Sequence, residues 1–279
     1  AARSAIELAP EHAEAHFLLG EALASQGNRE AAVDAFDVCH KDLSYNQTNC
    51  LAAKTIALQL VGRGLEADYL TDFDGLISNS RMDDPSPYGS VAEFNEALAQ
   101  EVLDHPSLEW EPEGYVASGG SLTDNLLTNQ STTIVTFEKF LRRSIDRYIE
   151  NLPADPAHPF LRQVPTKYRL RVWATVLGKE GIIGTHIHRN GWMSGASYAR
   201  LPDFGDPDEE EHAGWIQFGP PEWMPGQETS ANTRRFQPEP GLLFLFPAYF
   251  YHRTLPLKHF SNRMSVVFDL YPIEWKSVS

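Results

Sequence analysis

The sequence predicts an α+β protein in which helical repeats precede a β-sandwich or jelly-roll domain. Three observations carry this: helical spacing of small and apolar residues up to about residue 78, a turn-rich break, and apolar strand patterns from about residue 166. The chain has 279 residues, 42% hydrophobic and 11% aromatic, enough for one large core and a smaller domain.

The N-terminal part, residues 1–80, reads as helices punctuated by the turn signals QGN at 26–28 and GRG at 62–64. Leu19, Gly20, Leu23, Gly27, Ala32 and Phe36 resemble the tetratricopeptide pattern, two helices with small residues where they cross. Ala5 and Pro10 fit the end of a preceding unit, so the chain is expected to begin inside a repeat. A weaker unit follows with Ala53, Ala57 and Ala67, although Lys54 stands where the pattern has glycine. Such repeats imply a protein or peptide partner. Cys39 and Cys50 have no metal-ligand spacing and are expected to be reduced packing residues.

RMDDPSPYGS at 81–90 has linker composition. The second domain, 91–279, opens with a helix in which Phe94, Leu98 and Val102 share a face, and a further helix is predicted over roughly 133–151. YRLRVWATVLG, HAGWIQFG, GLLFLFP and RMSVVFDLYP then read as strands.

Charge and hydropathy exclude several functions. Lys+Arg number 23 against Asp+Glu 38, a net charge of -15, so nucleic acid and anionic membranes are not expected partners. A local basic pocket for an acidic substrate is compatible with that balance. No apolar run approaches the ~20 residues of a membrane span, and AARSAIELAP lacks the pattern of a signal peptide. The expected location is the cytoplasm.

The chemistry is concentrated in THIHRNGWMSGASYARLP at 185–202, where His186 and His188 lie two apart. In an extended segment both imidazoles project from one face and can share a metal ion. A strand ending in proline and aromatics then leads to His252, and eleven residues later Arg263 opens another strand with Ser265 on its face.

An HxH pair, a distal His and an Arg-x-Ser in this order resemble the double-stranded β-helix of the 2-oxoglutarate/Fe(II) oxygenases. The blocks GGSLTDNLL, RVWATVL, HIHRNGWMSGASYARLP, GWIQFGPP, PGLLFLFPAYFYHRTLP and NRMSVVFDLYP are similar to one 2OG-Fe(II) oxygenase family over about 90–279. The resemblance implies Fe(II) held by His186, His188 and His252, with Arg263 and Ser265 receiving the distal carboxylate of 2-oxoglutarate. Tyr198 is a candidate for a further bond to that cosubstrate, and Trp192, Arg171 and Asn190 are candidates for the substrate pocket. No catalytic side chain beyond the metal ligands is expected.

His188 stands where the commoner site has a carboxylate, which makes the centre one unit more positive. An alternative uses His186 and His252 alone, as in the aspartyl/asparaginyl β-hydroxylases. The implied activity is hydroxylation of a C–H bond of a protein, peptide or small molecule, using O2 and releasing succinate and CO2. Two other readings remain open: a non-catalytic metal-binding scaffold, and a three-His cupin-type dioxygenase that does not use 2-oxoglutarate. Arg263 discriminates, since neither needs a carboxylate clamp. His12, His16, His40, His212 and His259, Trp215 and Trp223, and the acidic run 206–212 read as structural or solvated residues.

Overall fold

The computed structural model describes residues 2–41, 47–114, 116–202, 212–222, 224, 232–257 and 262–278. Trp223, His259 and most of the acidic run 206–212 lie outside them.

Six helices come first: α1 (Ala2–Leu8), α2 (Ala13–Ser25), α3 (Arg29–Cys39), α4 (Gln47–Leu60), α5 (Gly64–Leu70) and α6 (Phe73–Leu76). Gly27 and Gly62, both at φ 80°, close the turns before α3 and α5, a conformation that glycine adopts without a Cβ penalty. Gly20 is required for a different reason: the Phe36 ring occupies the space of any Cβ there. Cys39 and Cys50, both buried, form a disulfide between α3 and α4, contrary to the expected reduced pair. Packing of α3 on α4 brings the two Cα atoms to 6.2 Å, a reach that sequence spacing does not reveal.

The helical part is fastened to the rest at several points. Strand β1 (Ser78–Arg81) joins the sheet beside β8 (Leu242–Pro247), with Ser78 opposite Leu245 and Arg81 opposite Leu242. Leu51, Ala52 and Leu76 enter the main hydrophobic core. Thr48 Oγ1 donates to the Gly191 carbonyl at 2.6 Å, and the Tyr148 hydroxyl donates to that of Leu76 at 2.9 Å.

Two longer helices, α7 (Val91–Leu103) and α8 (Thr132–Asn151), begin at serine caps. Ser90 accepts from the Glu93 amide while Glu93 accepts from that of Gly89, and Ser131 accepts from the Ile134 amide. These bonds satisfy amides that helix starts leave open. Phe94, Leu98 and Val102 of α7 and Phe137, Phe140, Leu141 and Ile145 of α8 face the core.

The other strands are β2 (Glu109–Trp110), β3 (Ala117–Leu122), β4 (Gln163–His186), β5 (Met193–Arg200), β6 (Ile216–Phe218), β7 (Arg234–Phe236), β9 (His252–Thr254) and β10 (Arg263–Ser277). All pairings are antiparallel, in the order β1-β8-β5-β10-β4-β9-β6-β7. The long β4 pairs with β10 over 163–177, and further along with β3 and β9. Register shifts interrupt the pairings of β4 with β3 and with β9, and Glu180 at φ 61° lies in the same stretch of β4. Such irregularities bend a strand and raise its twist. The sheet curls, as in a double-stranded β-helix. Among the described residues no helix is long and apolar enough to cross a membrane.

The register assigns the two faces of the sheet. Ser265, Val267, Asp269 and Tyr271 of β10 stand opposite Thr175, Trp173, Arg171 and Arg169 of β4, on one face. Met264, Val266, Phe268 and Leu270 take the other face and join the core with α7 and α8.

Gly195 of β5 has strands on both sides, and a Cβ there would meet the Phe268 ring at 2.5 Å and the Phe244 carbonyl at 2.6 Å. A backbone oxygen cannot rotate away. Gly195→Ala is therefore expected to cost about 1–3 kcal/mol, read as a lower denaturant midpoint at unchanged slope; wild-type stability would refute the close approach.

Candidate metal and cosubstrate site

His186 ends β4 and pairs directly with His252, the first residue of β9. His188 lies just beyond, anchored by its amide to the Ala248 carbonyl at 3.0 Å. The curl of the sheet thus brings together imidazoles that lie far apart in sequence. One ligand atom from each of the three falls within 4.8 Å of the others, and Nε2 of His188 is 3.2 Å from Nε2 of His252.

Each ring is held through its other nitrogen. Nδ1 of His186 lies 2.8 Å from the Gly184 carbonyl, Nδ1 of His252 lies 2.9 Å from that of Phe250, and Nδ1 of His188 lies 2.7 Å from Asp269 Oδ1. An oxygen acceptor at every Nδ1 requires a proton there and leaves Nε2 as a lone-pair donor. Three imidazoles that meet in one pocket with lone pairs on their remaining nitrogens could hold a divalent metal ion.

The electrostatics favour the same state. Burial, assisted by the neighbouring His188 imidazole, lowers His186 to about 3. Burial and the neighbouring imidazoles hold His252 well below its ordinary value. Both rings stay neutral, as metal ligation demands.

Asp269 was not anticipated from sequence. Burial alone would raise its pKa, but the His188 imidazole, aided by bonds from Ser194 and Tyr271, holds it below the ordinary value. Ser194 Oγ donates to Oδ1 at 3.0 Å and the Tyr271 hydroxyl to Oδ2 at 3.2 Å. Asp269 lies six residues after Arg263, on the same face of β10. That even spacing was its only sequence signal.

Arg263 opens β10 and is 2% exposed. Its Nε donates to the Gly214 carbonyl at 3.2 Å, one Nη donates to Ser265 Oγ at 3.4 Å, and its Cζ lies 5.0 Å from the Tyr198 ring centre. Among the described residues no carboxylate pairs with it. The Tyr198 hydroxyl, also buried, has no partner at ordinary hydrogen-bond geometry other than the adjoining Arg263 guanidinium. Burial lowers the Arg263 pKa and raises that of Tyr198. A buried guanidinium without a counter-ion is strongly unfavourable, and here it faces the cavity that holds the histidines.

That cavity, about 620 Å³, is lined by the three histidines, Asp269, Arg263, Ser265 and Tyr198. Arg171 and Asn190 lie at its border with a neighbouring cavity. Trp192 lines only the neighbour, where it stacks on Phe160 at 4.6 Å. His12 caps α2, and His16 and His40 bond to the Pro10 and Phe36 carbonyls. His212 packs edge-on against Trp215.

Residues 171–269, which include the three histidines, Tyr198, Arg263, Ser265 and Asp269, match the sequence profile described as "Putative 2OG-Fe(II) oxygenase". No curated protein sequence matches the chain. Among solved structures, the non-haem alpha-ketoglutarate-dependent carbocyclase SnoK of nogalamycin biosynthesis is similar at 9% identity, with a TM-score of 0.50 over 75% of this chain and 85% of that one. A prolyl hydroxylase from Trichoplax adhaerens, in complex with a hypoxia inducible factor peptide, gives 11% identity and a TM-score of 0.49 over 77% and 92%. A prolyl-4-hydroxylase from Pseudomonas putida gives 12% and 0.48 over 75% and 99%. The likeness to SnoK is one of fold. With that profile match, the three-His group fits Fe(II), with 2-oxoglutarate and O2 as co-substrates.

Two outcomes test this geometry. Asp269→Ala is expected to weaken Ni(II) or anaerobic Fe(II) binding about 10–100-fold in calorimetry, and unchanged affinity would show that His188 is oriented otherwise. For pH, the unfolded chain binds protons at His186 and His252 below about 6.5 while the native state resists them. Stability of the metal-free protein should therefore fall as pH drops from about 6.5 toward 3. Substituting both histidines should flatten that slope in denaturant titrations.

Proposed function

We propose that the chain is an Fe(II)- and 2-oxoglutarate-dependent dioxygenase that hydroxylates a C–H bond of its substrate, with release of succinate and CO2. One observation carries the reading: the buried Arg263, paired with no carboxylate among the described residues, shares a cavity with three imidazoles that bring one ligand atom each within 4.8 Å of the others. Neither a metal-binding scaffold nor a three-His dioxygenase without a keto acid explains that guanidinium.

His186, His188 and His252 would hold the metal on one face, leaving the remaining positions open toward the cavity. Bound there, Fe(II) supplies the oxidative chemistry in which decarboxylation of 2-oxoglutarate is coupled to oxygen insertion at carbon. Asp269 keeps the Nδ1 proton on His188, so that Nε2 stays available. Its negative charge also offsets the unit lost when His188 replaces the commoner carboxylate.

Arg263 receives the distal carboxylate of 2-oxoglutarate through a planar fork that gives two charge-assisted bonds. Ser265 adds a hydroxyl beside it, and the Tyr198 phenol stands next to the same guanidinium. These groups set the length of keto acid accepted, because clamp and imidazoles occupy fixed positions on the sheet. The remaining cavity surface, including Trp173 and Val267, excludes water around the reacting atoms.

The substrate is a protein, a peptide or a small molecule. The helical segment 1–80, with its tetratricopeptide-like repeats, supports a protein or peptide that docks on those helices, in a cytoplasmic setting.

Succinate release from 2-oxoglutarate in air, dependent on Fe(II), tests the activity; its absence with iron bound would refute the reading. Arg263→Ala should weaken 2-oxoglutarate binding about 10-fold or more, as expected for a lost charge-assisted pair, with Ni(II) affinity largely kept. Equal loss of both would assign Arg263 a folding role instead.

A further inference from the structure

The three imidazoles are not held alike. His186 and His252 sit on strands and pair with each other across the β4–β9 ladder. His188 lies beyond the end of β4, in the connection that leads to β5. No ladder fixes it, so its position depends on the bonds of that connection.

Those bonds form a chain. The Gly191 amide donates to the His188 carbonyl at 3.0 Å and closes a turn with Arg189 and Asn190 at its corner. The sheet ties this turn down twice, by the His188 amide to the Ala248 carbonyl at 3.0 Å and by the Trp192 amide to that of Leu270 at 2.9 Å. A third tie comes from the helical segment. Thr48 Oγ1 donates to the Gly191 carbonyl at 2.6 Å, across 143 positions of sequence.

Gly191 leaves the turn little room to shift. A Cβ there would meet the Met193 carbonyl at 3.2 Å, the Ala248 methyl at 3.4 Å and the Asp269 carboxyl carbon at 3.5 Å. Asp269 in turn orients the His188 ring through Nδ1 at 2.7 Å. The carbonyl that Thr48 holds therefore belongs to a residue set between the His188 backbone and the carboxylate that aims its ring. Thr48 is itself a fixed point, the second residue of α4 and 6% exposed. Nearby on that helix Leu51 and Ala52 enter the main core, and Cys50 is joined to Cys39 of α3. Because packing has already fixed the threonine, its bond orders the turn without a further loss of helix freedom.

We propose that Thr48 is a positioning residue for the metal site: by holding the Gly191 carbonyl, the first turn of α4 fixes the turn that presents His188. The helical segment is then a structural part of the metal site and not only a surface for a partner. The inference rests on the three-His group as a metal site and not on turnover of 2-oxoglutarate.

The test is Ni(II) calorimetry and the visible spectrum of the Co(II)-loaded full chain, in the wild type and in Thr48→Val, Thr48→Ser and Thr48→Ala. Valine keeps the shape of threonine and removes the hydroxyl. It should weaken Ni(II) binding about tenfold, the lower end for an outer partner of a metal ligand, and shift the Co(II) ligand-field bands. Serine keeps the hydroxyl and should restore most of the affinity and the wild-type bands. Alanine, which cannot crowd its neighbours, should repeat the valine result. Thr55→Val is the control for the helix: Thr55 is also buried in α4, but its hydroxyl bonds within the helix, to the Ala52 carbonyl at 2.8 Å. Its loss should leave affinity and spectrum unchanged. Wild-type affinity and spectrum in Thr48→Val and Thr48→Ala would overturn the inference, as would a loss that serine does not restore or that Thr55→Val shares. The expected pattern in a chain that forms no succinate with iron bound would keep the inference and overturn only the proposed activity. Absence of Ni(II) binding by the wild type would overturn the metal site and the inference together.

Discussion

The pairing of β4 with β10 on one stretch and with β9 at its end is the constraint from which the site follows. One ladder puts Ser265, Val267 and Asp269 opposite Thr175, Trp173 and Arg171; the other sets His186 against His252. A one-residue slip in β10 would turn Ser265, Asp269 and Tyr271 into the core and Val266 and Phe268 into the cavity. The core prevents that slip, because Met264, Val266, Phe268 and Leu270 are buried against α7 and α8. Packing on one face of the sheet thus fixes chemistry on the other.

The charges on that face run in sequence along the strands. Arg263 lies at the deep end, the imidazoles and Asp269 in the middle, and Arg171 with Arg169 at the open end. Neutral histidines are needed where the metal would sit, and burial keeps His186 and His252 neutral. Among the described residues Asp269 is the one carboxylate that lines the cavity, and it is engaged by His188, which under the proposed function leaves Arg263 for the cosubstrate carboxylate. A three-His centre with its carboxylate moved back by one hydrogen bond differs in charge distribution from a site where the carboxylate touches the metal.

Much of this was legible in the sequence, for physical reasons. The periods of α7, α8 and the strands are local, and the spacing of His186, His188, His252, Arg263 and Ser265 survives folding because strand faces alternate. Asp269 was not legible, since FDLY reads equally as a strand exit and only the ladder brings it to His188. The Cys39–Cys50 contact depended on how α3 crosses α4, and Trp192 followed the ligand pair in sequence yet turns into the next cavity. Contacts between distant elements, rather than residue types, were the missing information.

On the proposed function, three imidazoles and one buried guanidinium form a single site for metal and keto acid. Anaerobic titration of the chain with Fe(II) and then 2-oxoglutarate, followed by visible absorption, tests it most directly. The account predicts a metal-to-ligand charge-transfer band that appears only with both present and saturates at one iron and one 2-oxoglutarate per chain. Iron bound at that stoichiometry with no band at any 2-oxoglutarate concentration would contradict it.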